Sequence, residues 1–140
     1  MNAYPIEYLN DVVENQGKLF DYFSILYPNM NIIDFITNYM NSKTRKYIDE
    51  CQVYLSTMDY KDLYDYYIEK EKYNPINGFN VGGFVPDWIG EFYAYYQWYY
   101  NIKSSEVIKK VPVEFLMKAY YGLHDLELDL AVQKVGLRWK

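Results

Sequence analysis

One cysteine and one histidine in a chain of 140 residues leave little material for covalent or metal chemistry. The lone Cys51 excludes an intramolecular disulfide framework and fits a reducing compartment; with so little histidine to activate a thiolate, it reads as a small filler on a helix face. His124 alone supplies neither a zinc ligand set nor a Ser-His-Asp constellation, and reads as a residue that hydrogen-bonds a helix end at a junction. The phosphate-loop and dinucleotide spacings of glycine are absent. An EF-hand over Asp125, Glu127 and Asp129 fails because Leu130 stands where that loop requires glycine. No apolar stretch approaches the ~20 residues that span a bilayer. The opening M-N-A-Y-P-I-E-Y has no basic segment followed by an apolar run, so a secretory signal is not expected. These absences predict a cytoplasmic protein with no cofactor, no metal and no enzymatic role.

What the chain has in excess is tyrosine: 19 residues, which with 7 Phe and 3 Trp bring the aromatic fraction to 21%. Tyrosine buries a large ring and keeps a hydroxyl for hydrogen bonding, so it serves a core and a macromolecular contact surface equally well. The net charge of -5 disfavours a phosphate backbone as partner and favours a basic protein surface.

Apolar spacings of three and four predict an all-α fold: a compact single-domain bundle of about six to eight short helices over residues 1–140, with one internal loop at 71–86. The first segment, Pro5 to Tyr27, reads as one kinked helix or two short ones, because Gly17 interrupts it at ~1 kcal/mol relative to Ala. Asn31 is the expected cap of a second helix with Ile32, Phe35, Ile36, Tyr39 and Met40 on its apolar face. A third begins near Ser42; its cations Lys43, Arg45 and Lys46 read as a solvated basic corner. A fourth runs from Thr57 or Asp59 to about Lys70. The 71–86 segment collects Asn74-Pro75, Asn77-Gly78 and Gly82-Gly83, which are turn signals.

From Phe84 to Tyr100, nine of 17 positions are aromatic, more than a single core-facing stripe needs, so this helix is predicted to be central. Its expected buried spine is Trp88, Phe92, Tyr95 and Tyr99. Gly90 and Ala94 lie one turn apart and predict a close helix crossing. Beyond Ile102, Ser104 or Ser105 caps one short helix, and Pro112 opens another that packs through Val113, Leu116, Met117, Tyr120 and Tyr121. A last helix is expected from Asp125 as cap, with Leu126, Leu130 and Ala131 inward.

The fourth helix carries Asp59, Asp62, Asp65 and Glu69 at steps of three and four, with Tyr60, Tyr64 and Tyr67 on the other side. Such a row is either a solvated face or a docking surface. The docking reading names Tyr60, Asp62, Tyr64, Asp65, Tyr67 and Glu69 as the partner-binding residues, aromatic anchors beside steering charge. Packing of these rings against the central helix is the competing reading.

The run V-V-E-N-Q-G-K-L-F at 12–20, W-I-G at 88–90, S-S-E-V-I-K-K-V-P at 104–112, and Y-G-L-H with the D-L-A that follows at 129–131 together resemble a family of small acidic, largely uncharacterised bacterial proteins. That family is associated with toxin-antitoxin-type gene neighbourhoods that include an ADP-ribosyltransferase-like toxin. The chain departs from its pattern in its additional tyrosines and its 71–86 loop. The resemblance implies a cytoplasmic antitoxin or accessory protein that binds a protein partner, a toxin encoded nearby; apart from the resemblance, a homo-oligomer is the other protein contact open to the chain. Two alternatives belong to other classes: a helix-turn-helix-like DNA-binding regulator using residues 104–122, for which the second helix offers mainly Lys118, and a small ligand-binding protein.

Overall fold

The computed structural model describes residues 2–138. A 3₁₀ turn, Ile6–Tyr8, leads into α1 (Leu9–Leu26), α2 (Ile32–Met40), α3 (Lys43–Asp49), α4 (Val53–Ser56), α5 (Tyr60–Glu71), α6 (Val85–Tyr100), α7 (Ser104–Lys110), α8 (Val113–Leu123) and α9 (Leu128–Arg138). Among the described residues there is no strand, only one isolated bridge between Met30 and Asn77. The all-α class follows from the helical periodicity of the apolar residues, reinforced where polar side chains satisfy orphan N–H groups. Asn31 Oδ1 accepts from Asp34 N at 2.9 Å, and Ser42 Oγ accepts from Arg45 N at 3.1 Å.

The pair α1 and α6 forms the most extensive contact in the molecule, and α6 also touches α7, α8 and α9. Gly90 makes that pairing close. A β-carbon built on it would lie 2.5 Å from the Gln16 carbonyl oxygen and 2.8 Å from Gly17 Cα. Gly17 therefore marks the crossing point on the other helix. Of the two readings there, two short helices are excluded, since α1 runs unbroken through Gly17: interhelical packing offsets the ~1 kcal/mol that glycine costs a helix interior.

The inward face of α6 differs from the expected spine. Phe92 is fully buried and Trp88 nearly so, but Tyr95 is half-buried and Tyr99 is exposed. The buried set runs through Val85, Trp88, Ile89, Gly90, Phe92, Tyr93, Ala94, Tyr96 and Gln97, a broad face that keeps Trp88 and Phe92 of the predicted spine at its edge and turns away from Tyr95 and Tyr99. Tyr95 and Tyr99 stack on each other along the rim, ring centroids 6.4 Å apart. Contact with α1 through Gly90 fixes this rotation, which periodicity alone leaves free.

A second aromatic cluster joins α1, α2 and α5. Phe35 is its hub, stacked on Phe23 at 4.0 Å and meeting Phe20, Tyr39, Tyr64, Tyr67 and Tyr73 at 5.7–6.2 Å. Offset and edge-on ring pairs of this kind add ~0.5–1.5 kcal/mol beyond area burial.

The basic corner expected at α3 is only partly solvated. Lys43 and Lys46 are exposed, but Arg45 is 0% exposed. Its guanidinium pairs with Asp49, donates through Nε to Gln16 Oε1 at 2.7 Å and through Nη2 to Gln97 Oε1 at 2.9 Å, and lies 5.6 Å from the Tyr4 ring centre. Gln97 Nε2 donates to Asp49 Oδ1, and Ser104 N donates to Asp49 Oδ2 at 2.9 Å. Burial, the largest single effect, opposes the Arg45 charge; the Asp49 carboxylate together with the Tyr4 and Tyr39 phenols outweighs it and raises the guanidinium pKa. The network ties α1, α3, α6 and α7 together. The unfavourable cationic first turn of α3 finds its anion in Glu71, which accepts from Lys43 N at 3.0 Å and Thr44 N at 2.9 Å.

Further expectations are corrected. Cys51 lies in a tight turn after α3 with φ 63°, not on a helix face. The α7 N-cap is Lys103 rather than a serine, because the Ser104 N–H is committed to Asp49. Helix α9 begins at Leu128, past the expected Asp125 cap; it packs through Ala131, Val132 and Val135, while Leu130 and, on α8, Tyr121 stay exposed. Between α5 and α6 the chain is pinned by Asn80, whose side chain donates to Ser24 O at 3.0 Å and Tyr27 O at 3.1 Å, and by the Ile32 N–H bond to Phe79 O at 3.1 Å.

Candidate protein-contact face

Helix α5 starts where Asp59 Oδ2 accepts from Lys61 N at 3.3 Å and ends at Lys72, in the left-handed region with φ 56°. Leu63, Tyr64 and Tyr67 form its inward stripe. Tyr64 is 6% and Tyr67 3% exposed; Tyr64 lies 5.6 Å from Tyr22, and Tyr67 lies 5.2 Å from Tyr39. These rings pack against aromatic residues of α1 and α2. Burial pushes both phenols above their usual range, so they stay neutral. Tyr60 is half-buried, edge-on to Tyr22 at 5.6 Å. Of the six residues expected to form the contact face, Asp62, Asp65 and Glu69 are exposed and lie together.

Two tyrosines that the sequence reading passed over stand in the place of Tyr64 and Tyr67. Tyr54, on α4, is 70% exposed, and Tyr66 is half-buried on the outer side of α5. Both line an open hollow of about 600 Å³ together with Met58, Asp59, Asp62 and Asp65, with Glu69 at its edge. The signal for Tyr66 is present in the sequence: 59, 62, 66 and 69 step by 3, 4 and 3, so Tyr66 falls in the carboxylate row itself. Tyr54 carries no such signal. It reaches the row only because the turn at Cys51 and the short α4 fold back before α5 begins.

The hollow is lined by one thioether, two tyrosine rings and four carboxylates. Such a surface attracts cations electrostatically, and its tyrosines offer ring faces to a lysine or arginine. Lys70 already lies 5.8 Å from the Tyr66 ring centre and Lys61 5.9 Å from that of Tyr60.

Elsewhere, His124 stacks on Tyr120 at 4.4 Å; its Nδ1 lies 2.8 Å from Tyr120 O at the end of α8, and its Nε2 lies 3.2 Å from Asp125. Among the described residues no group of three or more His, Cys, Asp or Glu side chains is arranged to hold a metal ion, and no helix is long and apolar enough to cross a membrane. Comparison with known protein families, with characterised proteins and with solved structures gives no match to this chain.

Proposed function

We propose that this protein is a protein-binding module whose α4–α5 face receives a basic segment of a partner, as an antitoxin or accessory protein neutralises a toxin by direct contact. The observation that carries the reading is the juxtaposition of exposed Tyr54 and half-buried Tyr66 with Asp59, Asp62, Asp65 and Glu69 around one hollow. Aromatic anchors supply the desolvated centre of an interface, and the surrounding carboxylates supply steering and register. The net charge of -5 acts in the same direction by drawing in a cationic partner. The resemblance of the sequence to small acidic proteins of toxin-antitoxin-type neighbourhoods points to an ADP-ribosyltransferase-like toxin as that partner.

The test is co-expression with the product of the adjacent gene, followed by titration of the purified pair at two salt concentrations. Complex formation that weakens with salt and is abolished by Asp62→Lys with Asp65→Lys supports the reading. A neighbour that neither binds this protein nor is neutralised by it removes the antitoxin role. A complex indifferent to both charge reversals places the interface elsewhere.

A further inference from the structure

A hollow of about 280 Å³ opens between α3 and the start of α7, and three lysines, Lys43, Lys46 and Lys103, line it with Ser104 and Ser105. Among the described residues none of these lysines has a carboxylate within ion-pair distance. Two acidic residues also line the hollow, Asp49 and Glu50. Asp49 is already compensated: Arg45 and Gln97 engage one carboxylate oxygen and Ser104 N the other. Its wall therefore presents a satisfied polar surface rather than a bare negative charge. Glu50 is then the one uncompensated carboxylate in the lining, and Glu71 stands beside it on the Lys43 and Thr44 backbone; three ammonium groups against these two carboxylates leave a net positive charge at one concave spot of an acidic chain.

We propose that this hollow binds the phosphate group of a small phosphorylated metabolite. Three ammoniums and the hydroxyls of Ser104 and Ser105 form a donor-rich lining, which suits a ligand with several acceptor oxygens pointing in different directions. Lysine ammoniums bind phosphate as point charges and need no planar fork. The volume lies at the lower end of small-molecule sites, so the ligand is of metabolite size. The wall is held in place before any ligand arrives: Glu71 fixes the Lys43 and Thr44 backbone, and Asp49 fixes Ser104. This site is independent of the α4–α5 face, and either proposal can fail without the other.

The test uses the full chain with inorganic phosphate, pyrophosphate and succinate, each at matched ionic strength in sodium chloride. Expected is saturable 1:1 binding of phosphate or pyrophosphate, with amide shifts confined to 43–50 and 103–105. A rise in Tm of about 5 to 10 °C is expected at a hundredfold excess over Kd. Lys46→Gln with Lys103→Gln should weaken binding at least tenfold, while the distant exposed Lys118→Gln leaves it unchanged. Absence of saturable binding overturns the site, as does a double variant that binds like the parent. An equal response to succinate overturns the assignment to phosphate.

Discussion

Gly90 on α6 faces Gly17 on α1 so closely that a β-carbon on Gly90 would stand 2.8 Å from Gly17 Cα. The atoms it would strike are backbone, which cannot move without displacing a whole helix. Gly90→Ala should therefore cost about 2 to 3 kcal/mol, read as a lower denaturant midpoint at constant slope. At Gly17 an added methyl meets mainly the Asp87 and Glu91 side chains, which can shift, although Asp87 O lies at 2.9 Å. Both substitutions gain ~1 kcal/mol of helix propensity, so the softer contacts at Gly17 should make Gly17→Ala the less costly of the two.

The Arg45–Asp49 pair predicts an asymmetry between breaking and replacing a buried ion pair. Asp49→Ala leaves a guanidinium with 0% exposure uncompensated and should cost about 3 to 5 kcal/mol. Arg45→Met combined with Asp49→Leu should recover part of that loss, because two apolar side chains of similar volume carry no desolvation penalty. A double-mutant cycle measures the difference.

Exposed and buried tyrosines should separate binding from stability. Tyr64→Ala empties a core position beside Phe35 and Tyr22 and should cost about 3 to 5 kcal/mol in stability. Tyr54→Ala should leave the melting temperature unchanged and weaken partner binding by about 2 kcal/mol. The reverse pattern would remove the α4–α5 face as the contact surface.

Glu91 predicts the pH dependence. Burial first, then the neighbouring Asp87 and Glu14 carboxylates, lift its pKa to about 7 from the usual 4.5. Asp87 is raised in the same direction, by burial first and then by Asp21. Between the two Glu91 values the folded protein holds more protons than the unfolded chain, so stability falls as pH rises from about 4.5 to 7. Glu91 is partly solvated, and screening reduces its contribution to about 1 to 2 kcal/mol. Glu91→Gln should raise Tm at pH 8 and show little difference from the parent at pH 4.

Local signals in the sequence determined the all-helical class, the Asn31 cap, the start of α3 after Ser42, the acidic row on α5 and the close approach at Gly90. Each rests on the 3.6-residue period or on the hydrogen-bonding geometry of a residue with its near neighbours. The placement of Arg45 was not legible: a cation in a first turn reads as solvated until Asp49, Gln16 and Gln97, drawn from three helices, surround it. Nor was the choice of Tyr93 and Tyr96 over Tyr95 and Tyr99, since a helix aromatic around more than half its circumference has no unique inward face until a neighbour is docked. Tyr54 joined the acidic row for the same reason. Periodicity orders side chains around one helix axis, whereas the rotation of that axis and the choice of its neighbours are settled only when the helices close-pack.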